Sequence, residues 1–394
     1  MSPVLKGSWN YPTRVLFGPG RIAELAEACR AAGISKPLVV TDKGLEHADI
    51  TKRAVAILAD AGMQPGLFAE VKGNPTGENV EDGLAVFRAG GYDGVVAFGG
   101  GSGLDVGKTV AFMAGQTRPL WDFEDVGDWW TRADPAGIRP IVAVPTTAGT
   151  GSEVGRASVI TNAATHEKKI IFHPQMQPKI VVADPELTIG LPPKLTVWTG
   201  FDALAHCLEA LSAPGFHPMA DGIALEGLRL VKAYLPRAAA DGTDIEARAA
   251  MLAAAAMGAT AFQKGLGAVH SVSHPVGANF DTHHGLTNAV MLPYVVAFNR
   301  AAIEDRMVTL ARIRDLPRGD GPGRGTEAVL AWSRAFRKEL GIPHTLAELG
   351  VPEDRIAELA AQAERDPSTG TNALPMTVAD FERLILAAIR GTVD

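Results

Sequence analysis

Cysteine is nearly absent: Cys29 and Cys207 are the only two in 394 residues, far apart and in no CxxC spacing. A disulfide framework is excluded, and two buried free thiols in a reducing compartment are expected. A basic surplus is missing too. Lys and Arg total 37 against 44 Asp and Glu, a formal charge of −7, and no Lys/Arg-rich run occurs, so nucleic acid is not an expected partner. Long apolar runs are lacking as well. The most apolar stretch, residues 251–262, lies between Arg248 and Lys264; it falls short of the roughly 20 residues a bilayer helix needs. The opening "MSPVLKGSWN" has neither an apolar core nor a small-residue cleavage site. A cytoplasmic protein with no membrane partner is the expectation.

What is present is length and apolar content. With 46% hydrophobic residues over 394 positions the chain exceeds what one core usually holds, so two domains are expected. From Val15 to Asp184 it alternates β-branched runs with helical patterns. "PLVVTD" (37–42), "GVVAFGGG" (94–101), "PIVAVPTT" (140–147) and "KIVVADP" (179–185) are bounded by Gly, Pro or Asp and read as buried parallel strands. Helical spacing fills 50–61 and 80–89 between them, which is the pattern of an open α/β sheet. After the two prolines that close "DPELTIGLPP" (184–193), Ala, Leu, Met and Glu recur at helical spacing through 199–211, 221–234 and 245–263. The predicted architecture is an α/β domain over 1–187 and an all-α domain over 188–394.

"FGGGSGLDVGK" (98–108) joins a strand to a helix through three glycines and a serine. Such a turn lets backbone N–H groups and a helix N-terminus approach a diphosphate, although it is not the GxGxxG fingerprint. Asp42 closes another strand, where a carboxylate can accept from a ribose hydroxyl, and "PTTAGTGSE" (145–153) follows a third with hydroxyls and glycines. Open α/β sheets bind ligands at such strand ends. "LWDFEDVGDWW" (120–130) mixes acids with three tryptophans and reads either as edge packing or as a lid.

Four of the ten histidines fall in "VHSVSHPVGANFDTHHG" (269–285), and "TGFDALAH" (199–206) places Asp202 and His206 four apart on an apolar helix face. A buried Asp and His there need satisfaction. A mutual hydrogen bond would provide it; so would a metal shared with His270, His274, His283 or His284. One carboxylate with imidazoles suits Fe²⁺ or Zn²⁺ and is too nitrogen-rich for Ca²⁺ or Mg²⁺. A dinucleotide and a divalent ion together point to hydride transfer between an alcohol and nicotinamide.

The ordered motifs "FGGGSGLDVGK", "PTTAGTGSEV", "DPELTIGLPP", "TGFDALAHCLEA" and "GLGAVHSVSHPVGANFDTHHG" resemble the iron-containing (group III) alcohol dehydrogenases, from about Val15 to Tyr294. The resemblance implies an N-terminal dinucleotide-binding domain and a helical metal domain. It implies Asp202, His206, His270 and His284 as metal ligands, with Fe²⁺ first and Zn²⁺ second, and His274 beside the nicotinamide. Gly100, Gly101 and Ser102 would hold the pyrophosphate, with Asp42, Asn74, Thr146, Thr147 and Lys168 lining the rest of the cofactor cleft and Leu187 near the adenosine. NAD is expected over NADP. Substrate contacts are expected from 121–130, Phe262 and Phe280, and a homodimer is the default assembly. Two departures stand out: Gly103 replaces the family's frequent Pro or Ala, and His283 adjoins His284. The competing readings are a dehydroquinate-synthase-like lyase, whose metal set is Glu/His/His, and a non-catalytic metal-binding protein.

Overall fold

The β-branched runs do form strands, because continuous Val, Ile and Ala stretches bury both faces of a parallel sheet. The computed structural model describes residues 7–9, 13–313, 316–317 and 323–393. Much of the opening stretch read for a leader lies outside the described residues. Within them run β1 (Gly7–Trp9), β2 (Arg14–Phe17), α1 (Leu25–Ala32), β3 (Pro37–Asp42), α2 (Asp49–Asp60), β4 (Gly66–Val71), α3 (Gly77–Gly90), β5 (Gly94–Gly99), α4 (Gly101–Met113), β6 (Ile141–Pro145), β7 (Ala157–Asn162), β8 (Glu167–Phe172) and β9 (Ile180–Ala183). The main sheet has the order β1-β2-β9-β6-β5-β3-β4. Six strands are parallel, and β1 pairs antiparallel to β2. The strands β7 and β8 form a separate hairpin. The expected open parallel sheet is therefore present.

One face of that sheet packs Val39, Val96, Phe98, Val142, Val144 and Val182 against Leu25, Cys29, Leu58 and Leu187. Each such side chain contributes about 1.5–3 kcal/mol by leaving water. Cys29 and Cys207 are buried free thiols, both pushed up to about 12 by burial.

The α-helices described beyond them are α5 (Pro193–Ser212), α6 (Pro218–Ala240), α7 (Ile245–Ala261), α8 (Ala268–Phe280), α9 (His284–Phe298), α10 (Arg300–Ile313), α11 (Arg324–Glu339), α12 (Ile356–Glu364) and α13 (Val378–Arg390). Packing divides the chain into two compact units. One is Met1–Pro192 with Asp241–Ala256, and the other is Pro193–Ala240 with Met257–Asp394. The return of 241–256 to the sheet unit has no sequence signal, since its helical spacing matches that of its neighbours. In the helical unit α5 is buried on all sides from Thr199 to Ser212, packing on α6 and α9, while α8 packs on α9 and α12. A helix apolar all round is a core helix.

The apolar stretch around 251–262 belongs to a longer helical run, Ile245–Lys264, whose 20 residues satisfy the length and composition of a membrane span. Over an 18-residue part of it, 61% is buried within the protein, as in core helices. Sequence reading made it too short, because its apolar centre stops before its helical geometry does.

Candidate functional site

The helix α5 carries Asp202, His206 and Glu209 at i, i+4 and i+7, a spacing that puts all three on one face. All three are buried. His270 and His274 repeat the four-residue step on α8, and His284 opens α9. Close backbone approach makes this meeting of helices possible. A Cβ on Gly285 would lie 2.1 Å from the Trp198 carbonyl oxygen, and one on Gly258 would lie 2.9 Å from the His206 Cβ. Glycine at both positions lets the histidine helices seat against α5.

Three imidazole nitrogens converge on one carboxylate oxygen. His206 Nε2, His270 Nε2 and His284 Nε2 lie 3.7, 3.8 and 3.5 Å from Asp202 Oδ1. Ligand atoms of Asp202, His206 and His270 all fall within 4.8 Å of one another. Four ligands at about 2.1 Å from a tetrahedral ion would be about 3.4 Å apart, so a small inward movement would close the shell. The residues fit a divalent ion. His283 instead lays its ring on Trp198, with centroids 5.1 Å apart.

Sequence reading missed two groups around this cluster. The Asn288 amide nitrogen donates to Asp202 Oδ1 at 2.8 Å and sits 3.3 and 3.2 Å from the Nε2 atoms of His270 and His284. The Glu209 carboxylate grips His270 Nδ1 at 2.6 Å and accepts the Val269 backbone N–H at 2.8 Å. With Nδ1–H committed to Glu209, the His270 lone pair is left on Nε2, the nitrogen facing Asp202. Burial disfavours charge on His270, but the Glu209 hydrogen bond and the charges of Glu209, Asp202 and Asp366 outweigh it and raise its pKa. A cation among these atoms would act in the opposite sense. Both missed residues continue a legible spacing: Glu209 is three after His206, and Asn288 four after His284.

His274 stacks on His284, centroids 5.3 Å apart and planes within 14°, and its Nδ1 contacts Asp366 Oδ2 at 2.7 Å. Phe262 packs on the His206 ring at 5.1 Å, whereas Phe280 lies under the Arg355 guanidinium at 5.4 Å.

In the sheet unit, three strand ends are brought together. The strand β5 ends at Gly99, whose φ of +134° favours glycine, and α4 starts at Gly101. The next strand's turn leans on it. Thr146 N–H donates to the Gly99 carbonyl at 2.9 Å, and Cβ atoms on Gly100 and Gly101 would lie 3.2 Å from Thr147 Cγ2 and 2.6 Å from Thr150 Cγ2. The Asp42 carboxylate lies on the other side, 3.3 Å from where a Gly99 Cβ would stand, and burial raises its pKa. Ser102 Oγ donates to the Gly73 carbonyl at 2.6 Å, which draws in the turn carrying Asn74. Lys168 pairs in register with Thr161, whose N–H donates to the Pro75 carbonyl at 2.7 Å. Leu187 is only 3% exposed and belongs to the apolar core. Gly103 allows a close approach, since a Cβ there would come 2.8 Å from the Phe98 carbonyl oxygen.

Beneath this turn Lys108 is fully buried. Its ammonium donates to the carbonyls of Ser152 (3.1 Å) and Ala157 and pairs with Asp105 at 3.3 Å. Asp105 in turn accepts from Ser152 Oγ at 2.5 Å and the Val159 N–H at 3.0 Å. Burial lowers the Lys108 pKa and lifts that of Glu153 to about 7. The segment 120–130 also packs rather than hangs free: Phe123 meets Phe112 edge-on at 5.0 Å, Trp130 meets His173 at 5.8 Å, and Glu124 bridges to Ile171 of β8.

Comparison with known proteins agrees with this plan. Residues 12–185 match the model "Iron-containing alcohol dehydrogenase", and residues 196–389 match "Fe-containing alcohol dehydrogenase family, C-terminal". The chain is 40% identical over 385 residues to a 4-hydroxybutyrate dehydrogenase of Cupriavidus necator, covering 95% of this chain and 98% of that one. It is 34% identical over 380 residues to an NAD-dependent methanol dehydrogenase of Bacillus methanolicus, covering 96% and 98%. A crystal structure of a 1,3-propanediol oxidoreductase superposes with a TM-score of 0.91 at 34% identity, covering 98% and 100% of the two chains. With both halves of the chain matched and relatives spanning nearly all of it, the protein belongs to the iron-containing alcohol dehydrogenase family.

Proposed function

We propose that this chain is a metal-dependent, NAD-preferring dehydrogenase of primary alcohols, working also as an aldehyde reductase. The observation that carries the metal part is the convergence of three imidazole Nε2 atoms within 3.5–3.8 Å of Asp202 Oδ1. In this reading Asp202, His206, His270 and His284 hold one divalent ion, ferrous iron first and Zn²⁺ second. Bound there, the ion supplies a Lewis acid that acidifies the alcohol and polarises the carbonyl of the reverse reaction. The position of His283 against Trp198 supports His284 as the fourth ligand.

The protein's own groups do the rest. Gly100, Gly101 and Ser102 cradle the pyrophosphate at the N-terminus of α4, with Asn74, Thr146, Thr147 and Lys168 around it. Leu187, buried in the apolar core, would pack near the adenosine half. Asp42 accepts from the ribose hydroxyls. A 2′-phosphate beside that carboxylate would cost about 1–3 kcal/mol, and Lys43, in an exposed pair with Glu70 at 3.3 Å, would offset only part of it. His274 would take the proton of the alcohol hydroxyl, and NAD, when bound, would supply the hydride acceptor that turns alcohol into aldehyde.

Relatives named for 4-hydroxybutyrate, methanol and 1,3-propanediol support small primary alcohols as the substrate class. A lyase of the dehydroquinate-synthase kind has less support, because an Asp with three histidines replaces its Glu/His/His set. A storage protein would leave the glycine turn at 99–103 without a use. We extend the proposal to a cytoplasmic homodimer, checked by light scattering and cell fractionation. The main test is a panel of alcohols and aldehydes followed by NADH absorbance after reconstitution with Fe²⁺, Zn²⁺, Co²⁺, Ni²⁺ or Mn²⁺. Saturable turnover of primary alcohols is expected. No turnover with any metal, or no saturable NADH binding, would overturn it.

A further inference from the structure

The turn that follows α12, "DPSTGTN" (366–372), is stitched side chain by side chain to the start of α8. Asp366 meets His274 at 2.7 Å, and Thr369 Oγ1 meets Ser271 Oγ at 2.7 Å. Thr371 Oγ1 accepts the Leu266 N–H at 3.1 Å, and Asn372 Oδ1 accepts the Ala268 N–H at 3.1 Å. Three of these contacts are neutral and would serve any turn that docks on a helix. The fourth buries a carboxylate, its side chain 5% exposed, against an imidazole. Burying a charge is costly without a partner, and an Asn at 366 could cap the same turn without that cost. The carboxylate therefore serves His274.

We propose that Asp366 is a positioning residue for the reaction, acting through His274. The proposal rests on the role given above to His274. Asp366 is itself fixed: Oδ1 accepts the Ser368 N–H at 2.8 Å, and its own N–H donates to the Ala363 carbonyl at 3.1 Å. Oδ2 is thus presented to His274 Nδ1 in a set direction, and Nδ1 carries the proton. Nε2 becomes the basic nitrogen, with the ring plane held against His284. When the alcohol proton moves to Nε2, the imidazolium that forms donates from Nδ1 to a carboxylate already in place. An amide at 366 would donate to Nδ1 instead, shift the proton to Nε2 and remove the acceptor.

The test is a double-mutant cycle on the metal-loaded enzyme, with metal content and NADH binding measured on every variant. Asp366→Asn should lower kcat by about 10–100-fold, by analogy with the range seen when outer partners of metal-ligating histidines are removed. Metal content and NADH affinity should stay as in the wild type, and Asp366→Glu should recover part of the loss. In the His274→Ala background the same Asp366→Asn change should cost less than about twofold, because residues acting as a unit are non-additive. Thr369→Val removes a neighbouring stitch without touching His274 and should keep kcat. An equal fall from Asp366→Asn with and without His274, a loss of metal, or a matching fall in Thr369→Val would overturn the proposal. His274→Ala retaining full turnover would instead remove the role of His274 on which it stands. Melting curves separate any of these from misfolding, and Asp366→Glu offers a second variant if Asp366→Asn does not fold.

Discussion

The two units bring their functional groups together by opposite means. In the sheet unit the candidate cofactor turn is backbone: Gly99 at φ +134°, Gly100 and Gly101 create room, and the threonines of the next turn fill in beside them. In the helical unit the candidate metal centre is side chain. It consists of Asp202 and three imidazoles, held by Glu209 and Asn288 and seated by glycines that are not themselves part of it. A turn made of backbone tolerates few substitutions because an added Cβ would run into the side chains packed beside it. A cluster made of side chains fails when one member is lost, since the others are left buried and unsatisfied.

That contrast predicts separable failures. The largest is expected from His206→Ala or His270→Ala, which should remove bound metal and lower turnover by about 10³-fold or more, comparable to removing a principal electrostatic group. NADH binding should survive in both. Metal retained at one per chain in both variants would break the contrast on the helical side.

Next comes a pair of added methyl groups. Gly285→Ala drives a Cβ to within 2.1 Å of a backbone oxygen and should cost about 3 kcal/mol of stability or distort the metal centre. Gly99→Ala forces a side chain onto a φ of +134° and should cost about 1–3 kcal/mol and weaken NADH binding, with metal content unchanged. Melting, metal analysis and NADH titration distinguish the two. The division would fail if Gly99→Ala stripped the metal.

Glu209→Gln is expected to weaken metal affinity by about 10–100-fold by loosening the His270 tautomer, measured by chelator competition. Unaltered metal affinity would make Glu209 a packing residue only. Asp42→Gly should shift kcat/KM from NAD toward NADP by about 5- to 150-fold. A wild type that already favours NADP would show that Asp42 does not meet the ribose.

Legibility followed the same divide. The strands "PLVVTD", "GVVAFGGG", "PIVAVPTT" and "KIVVADP" were readable because each is continuously apolar and ends in a breaker. The strand β4 escaped notice because it is a half-exposed edge, "GLFAEV", and β2 because it has only four residues. The β7–β8 hairpin carries too many polar residues to stand out. In the helical unit the Asp202–His206 and His270–His274 spacings were visible because one helix turn separates each pair. Asp366 was not, since 92 residues separate it from His274 and only the folded turn brings them together. Gly103, a departure from the family's frequent Pro or Ala, is a close-packing position that the sequence pattern alone does not reveal.

The adjacent histidines give the most direct test of the metal centre. His284 Nε2 lies 3.5 Å from Asp202 Oδ1, and His283 packs on Trp198. Metal per chain, measured by elemental analysis in His283→Ala and His284→Ala, should be near one in the first and close to zero in the second. The reverse pattern, or a full complement of metal in both, would contradict the Asp202, His206, His270 and His284 centre.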